Sequence, residues 1–111
     1  MEKSPFTNVT EVAALDDLLA RSHTAPVVLL KHSVTCSISA DVYREVADYA
    51  GDIALVIVQS ARPLSNAIAE RTGVRHQSPQ ALVLRDGQAV WHAAHYDITA
   101  DGLSKAVAEN A

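Results

Sequence analysis

The sequence predicts an α/β domain with a four-stranded mixed sheet, a β-α-β half followed by a β-β-α half, flanked by helices. Three observations carry this expectation. Val27-Val28-Leu29-Leu30 and the run from Ile53 to Val58 are short and continuously apolar, as strands buried on both faces are. A stretch of helical periodicity separates them, which makes them parallel partners joined by a right-handed crossover. Asp86-Gly87, the dipeptide of a tight hairpin, lies between two further strand-like runs.

The elements follow in order. Residues 1–7 read as a flexible N-terminal tail. Asn8 and Glu11 have the spacing of a helix N-cap and its capping-box acid, and Val12, Leu15, Leu18 and Leu19 recur at helical spacing, so a first helix runs to about Ser22. His23-Thr24-Ala25-Pro26 breaks it before the first strand. From Ser37, the residues Ile38, Val42, Val46 and Tyr49 mark one side of a second helix that ends near Gly51. The second strand follows. Pro63 suits the first turn of a third helix carrying Leu64, Ala67 and Ile68, and Thr72-Gly73 stops it. After a loop from Val74 to Pro79, Ala81–Leu84 and Ala89–His92 form the hairpin, and Thr99 or Asp101 caps a last helix with Leu103, Ala106 and Val107. This element order is that of the thioredoxin and glutaredoxin fold.

Composition narrows the function. One domain of 111 residues, 49% hydrophobic and 20% charged, is expected to fold around a single aliphatic core. A formal net charge of −4 offers no sustained attraction to phosphate backbones or anionic lipid, so neither nucleic acid nor a membrane is an expected partner. No apolar run approaches the roughly 20 residues that span a bilayer, and the N-terminus lacks the basic and apolar segments of a secretory signal, which makes the cytoplasm the expected location. Cys36 is the only cysteine and has no internal partner for a disulfide.

Cys36 is the candidate nucleophile. It falls where the first strand gives way to the second helix, and a helix N-terminus favours the reactive thiolate through its unpaired N–H groups and the positive end of its dipole. Groups just past the carboxyl end of a central strand also lie where open α/β sheets bind ligands. Ser39 occupies the place of the second cysteine in a C-x-x-C motif. Its hydroxyl cannot resolve a mixed disulfide but can donate to the thiolate, so resolution falls to an external thiol. Thr35 and Ser37 are further candidate thiolate-stabilising neighbours. Lys31 and His32 would add positive potential, on opposite sides of the strand by alternation, with packed or solvated roles as the alternative for each. Ser78-Pro79, just before the third strand, is a candidate client-binding edge: a cis proline there would leave the preceding residue's backbone groups free for an extended substrate. A metal site is not expected: His32 and Cys36 are four apart, but structural zinc wants four ligands in paired short spacings, and no Cys-x-x-Cys or His-x-x-x-His pair occurs among Cys36, His32, His76, His92 and His95.

The residues resemble one family, the monothiol bacilliredoxins. Lys31-His32-Ser33-Val34-Thr35-Cys36-Ser37-Ile38-Ser39 is similar to its active-site segment K-H-S-x-x-C-P-I-S, and Arg62–Asn66, Gly73–Gln80 and Val90 to Thr99 resemble its later motifs in order. Ser37 replaces the usual proline, and Gln77 stands where an acid is common. The resemblance implies a thioredoxin-like fold, no bound cofactor, and bacillithiol as co-substrate. It also implies bacillithiolated client proteins as partners, with Cys36 taking bacillithiol from them and a second molecule of this low-molecular-weight thiol regenerating it. Ser78, Pro79 and His32 would face the client or thiol. The alternative is a redox-silent binding module of the same fold. A cluster-carrying monothiol protein would need a Cys-Gly-Phe-Ser signature, which is absent.

Overall fold

Apolar runs without alternation belong in the middle of a sheet, and the two in this chain lie there as parallel neighbours. The structure, a computed structural model, describes residues 4–111. Its elements are β1 (Phe6–Asn8), α1 (Val12–Arg21), β2 (Val27–His32), α2 (Ser37–Val46), β3 (Ile53–Ile57), α3 (Arg62–Thr72), β4 (Gln80–Arg85), β5 (Gln88–Ala94), a 3-10 turn (His95–Asp97) and α4 (Ala100–Glu109). The strands are ordered β1-β3-β2-β4-β5, with β1, β3 and β2 mutually parallel; β4 runs antiparallel to β2, and β5 to β4.

Alternation along β2 divides the core in two. Val28 and Leu30 pack with Val42 and Val46 of α2 and Leu103 and Ala106 of α4. Val27 and Leu29 face Leu15 and Leu18 of α1 and Leu64 and Ile68 of α3. Lys31 follows Leu29 on that second face and is also fully buried, with 0% of its surface exposed. The hairpin turn has φ of 55° at Asp86 and 77° at Gly87, the pair of positive values that a two-residue type I′ connection requires. Its Asp86 and Gly87 N–H groups donate to the backbone oxygen and hydroxyl of Ser22, docking the turn on the end of α1.

The sheet has five strands rather than the expected four, because part of the expected tail is structured. Phe6–Asn8 pairs with Ile53–Leu55, and Phe6 stacks on Tyr43 with ring centroids 4.2 Å apart. A three-residue strand is too short to show a period in sequence. Residues 1–3 of that expected tail lie outside the described residues. With Asn8 in β1, it does not cap α1; Glu11 is the N-cap and makes no side-chain capping bond. The second helix ends at Val46 rather than near Gly51. Thr99, not Asp101, caps α4, its hydroxyl accepting from the Gly102 N–H at 2.9 Å.

Candidate active site

β2 ends at His32, and three polar or β-branched residues carry the chain to Cys36, the N-cap of α2 with extended backbone (φ −105°, ψ 123°). Local hydrogen bonds shape this loop. The Cys36 N–H donates to the Ser33 oxygen at 3.4 Å, and the Ser33 N–H donates to the hydroxyl of buried Ser39 at 3.2 Å. Gln59, just beyond β3, spans the loop: its Nε2 donates to the hydroxyls of Ser33 (2.7 Å) and Thr35 (3.3 Å), while its Oε1 accepts from the Val34 N–H at 3.2 Å. A side chain more than twenty positions away thus holds the turn that presents the thiol.

Cys36 is partly exposed. Its pKa lies below the ordinary thiol value: the Ser39 backbone N–H is the largest cause, burial opposes it, and the Ile38 N–H and Ser39 hydroxyl add to the lowering. These are the N2 and N3 donors of the helix and one side chain beside them. No capping hydrogen bond to the Cys36 side chain is closed in this geometry. The donors therefore favour ionisation by their proximity to the sulfur.

The pairing of β2 with β4 ends at Lys31 opposite Gln80, so the residues just before Gln80 lie beside the end of β2 from which the Cys36 loop departs. The Ser78-Pro79 peptide is cis, and the Pro79 oxygen accepts from the His95 N–H at 3.0 Å. Among the described residues, no hydrogen bond takes up the N–H or C=O of Gln77 or Ser78. The Ser78 hydroxyl is buried without a partner.

The other expected site residues are placed less directly. The Thr35 hydroxyl lies against Ser33 and Gln59, and Ser37 is exposed; neither is among the groups that lower the Cys36 pKa. His32 turns toward α2, its ring 5.4 Å from that of Tyr43, with Nδ1 buried and unpaired. Burial lowers its pKa, which favours the neutral imidazole. Two neighbours were not legible in the sequence. Gln59 carries no motif, and Tyr96 is brought over α2 by the 3-10 turn, where His95 has φ 56°. The Tyr96 hydroxyl donates to Asp41 at 2.8 Å; that bond raises its pKa most, followed by burial, the Asp41 charge and the charge of Cys36. Among the described residues, no group of three or more His, Cys, Asp or Glu side chains is arranged to hold a metal ion, and no helix is long and apolar enough to cross a membrane.

Comparison with known proteins agrees with this arrangement. Residues 7–103 match the family model described as monothiol bacilliredoxin BrxC. A solved structure described as a candidate oxidoreductase with a thioredoxin fold is 33% identical, covers 92% of this chain and 93% of its own, and superposes with a TM-score of 0.84. Thioredoxin from Fasciola hepatica (14% identity, 94% and 98% covered, TM-score 0.72) and thioredoxin from Trypanosoma brucei brucei (17%, 96% and 92%, 0.73) share the fold.

Proposed function

We propose that this chain, which belongs to the monothiol bacilliredoxin family and acts in thiol-disulfide exchange through its single cysteine, removes bacillithiol from mixed disulfides on client proteins. The observation that carries the proposal is the position of Cys36. It caps the N-terminus of α2 at the carboxyl end of a central strand, with Ser39, and not a second thiol, three residues on.

The Cys36 thiolate attacks the bacillithiol sulfur of the client mixed disulfide. A new sulfur-sulfur bond joins Cys36 to bacillithiol as the old bond breaks, and the client cysteine leaves as its thiolate. Lacking a resolving cysteine, the enzyme then waits for a second bacillithiol. That thiolate attacks the bacillithiol sulfur of the adduct, forms bacillithiol disulfide and returns Cys36 as thiolate, so the two electrons come from the low-molecular-weight thiol. In this scheme the Ser39 N–H, the Ile38 N–H and the Ser39 hydroxyl hold the charge on Cys36 before attack and after release. The unpaired backbone of Gln77 and Ser78 receives the extended client chain by strand addition. Thr35 supports the loop through Gln59 rather than touching the sulfur. Ser37 supplies an N–H at the first helical position where the family's usual proline would have none. The cytoplasm, where thiols are kept reduced, is the compartment this chemistry suits.

The test is a client-release assay. A peptide carrying one bacillithiolated cysteine is incubated with the reduced protein, and a glutathionylated copy serves as competitor. Release of the free peptide from the bacillithiolated form at the higher kcat/KM, and its loss in Cys36→Ser, is the expected result. Equal turnover of both peptides would overturn the assignment to bacillithiol, and activity retained in Cys36→Ser would overturn the role of the thiol.

A further inference from the structure

The Cys36 chemistry leaves unused a lysine that is completely buried. Lys31 is 0% exposed, yet no carboxylate pairs with it among the described residues. Its Nζ instead donates to the Ser65 backbone oxygen at 3.1 Å and lies 3.1 Å from His76 Nδ1. An ammonium has donors only, so at neutral pH Nδ1 must present its lone pair, which fixes His76 as the neutral tautomer protonated on Nε2. Each element packed against this contact contributes a group that faces it. From α3 come Ser65, whose hydroxyl is 3.4 Å from Nδ1, and the positive charge of Arg62. From β4 comes Gln80, opposite Lys31 in register, and from β3 comes apolar Val56.

The position of His76 gives the contact a consequence. The segment between α3 and β4 is tied down on both sides of Gln77-Ser78. Before them, the Gly73 N–H donates to the Ala69 oxygen, and Gln80 Nε2 donates to the Arg75 oxygen at 2.8 Å. After them, the His95 N–H holds the Pro79 oxygen. His76, adjacent to the unpaired stretch, makes no backbone hydrogen bond among the described residues; its side-chain contacts are with Lys31 and Ser65.

We propose that Lys31 and His76 form a proton-sensitive clasp that positions the Gln77-Ser78 edge for its client, with His76 as a positioning residue rather than a catalytic one. The proposal rests on the client-binding role given above to that edge. Protonation of His76 turns Nδ1 from acceptor into donor and sets a second positive charge 3.1 Å from the ammonium, so the clasp opens and the edge is released. Burial, Lys31 and Arg62 all lower the His76 pKa, which keeps the clasp closed at neutral pH and places its opening below the usual histidine range.

Two variants separate the acceptor from the titration. His76→Asn keeps an acceptor near the Nδ1 position and cannot be protonated; His76→Phe removes the acceptor. The first measurement needs no substrate: the backbone amide shifts of Gln77 and Ser78 are followed by NMR from neutral to acid pH. They are expected to move with the His76 imidazole in the wild type and to move much less in Lys31→Met, which keeps the titrating imidazole and lacks the ammonium partner. The second is KM against kcat for the bacillithiolated peptide. His76→Phe is expected to raise KM by about tenfold, the scale of one lost charge-assisted hydrogen bond, with kcat within about twofold of wild type, and His76→Asn to restore it. Amide shifts that move alike in wild type and Lys31→Met, or a His76→Phe KM equal to wild type, would overturn the clasp. Because the amide titration is independent of turnover, a protein that shows it and yet fails to release bacillithiol would discard the substrate and keep the clasp.

Discussion

The Ser39 hydroxyl accepts a hydrogen bond from the Ser33 N–H at 3.2 Å, so the residue in the place of a resolving cysteine closes the loop that presents the nucleophile. The same hydroxyl is free to donate its own proton toward the sulfur, where it adds to the lowering of the Cys36 pKa. Ser39→Ala therefore removes an acceptor and a donor together. The expected outcome is a higher thiol pKa, slower alkylation of Cys36 by iodoacetamide at neutral pH, and a loss of about 1 kcal/mol in stability from the unpaired Ser33 N–H. Alkylation rates across pH and urea unfolding check the two parts separately.

Gln59 holds the same loop without reaching the thiol, so its removal should separate scaffolding from tuning. Gln59→Ala is expected to destabilise the protein by about 1 kcal/mol while leaving the alkylation midpoint where it is. Ser37→Ala, at an exposed position absent from the causes of the Cys36 shift, should leave both unchanged. A midpoint that moves in either variant would show a contribution to the thiolate that the geometry does not contain.

Lys31 makes a prediction of opposite sign. Burial lowers its pKa to about 8 from an ordinary 10.5, so keeping the ammonium in the folded protein at neutral pH costs stability. Between those two values the unfolded chain binds more protons than the folded one, so the cost is full below about pH 8 and is relieved as the pH rises toward 10.5. An apolar residue of similar shape avoids the cost but loses two contacts. Lys31→Met is thus expected to be more stable than wild type by about 2 kcal/mol at pH 7, with the difference shrinking above pH 8. Chemical denaturation at pH 7 and pH 10 measures it.

The edge strand β1 is tested by Phe6. Its ring stacks on Tyr43 and is partly buried against the α2 side of the sheet. Phe6→Ala should cost about 2 kcal/mol, less than a fully buried phenylalanine and far more than a residue in a mobile tail. Thermal unfolding of the variant, read against wild type, distinguishes the two.

What the sequence made legible follows from the range of the interactions involved. Cys36 stood out because a strand, a short polar loop and a helix start are local patterns, and the thiolate's main stabilisers, the N–H groups of Ile38 and Ser39, belong to the same helix. Asp86-Gly87 marked the hairpin for the same reason. Thr35 was expected beside the sulfur, but its hydroxyl is drawn to Ser33 and Gln59, a partner supplied by the far side of β3. Alternation placed Lys31 and His32 on opposite faces of β2, as found, yet only the packing of α3 and the following loop brings Ser65 and His76 to the ammonium. Phe6–Asn8 was hidden by its length, and Tyr96 by a 3-10 turn that no periodicity announces.

The most direct test of the central claim is the intact mass of the reduced protein after exposure to a bacillithiolated client, with Cys36→Ser alongside. A single bacillithiol adduct on Cys36, accompanied by free client thiol and absent from the variant, is the predicted result. A client that keeps its bacillithiol while Cys36 remains a free thiol would contradict the account.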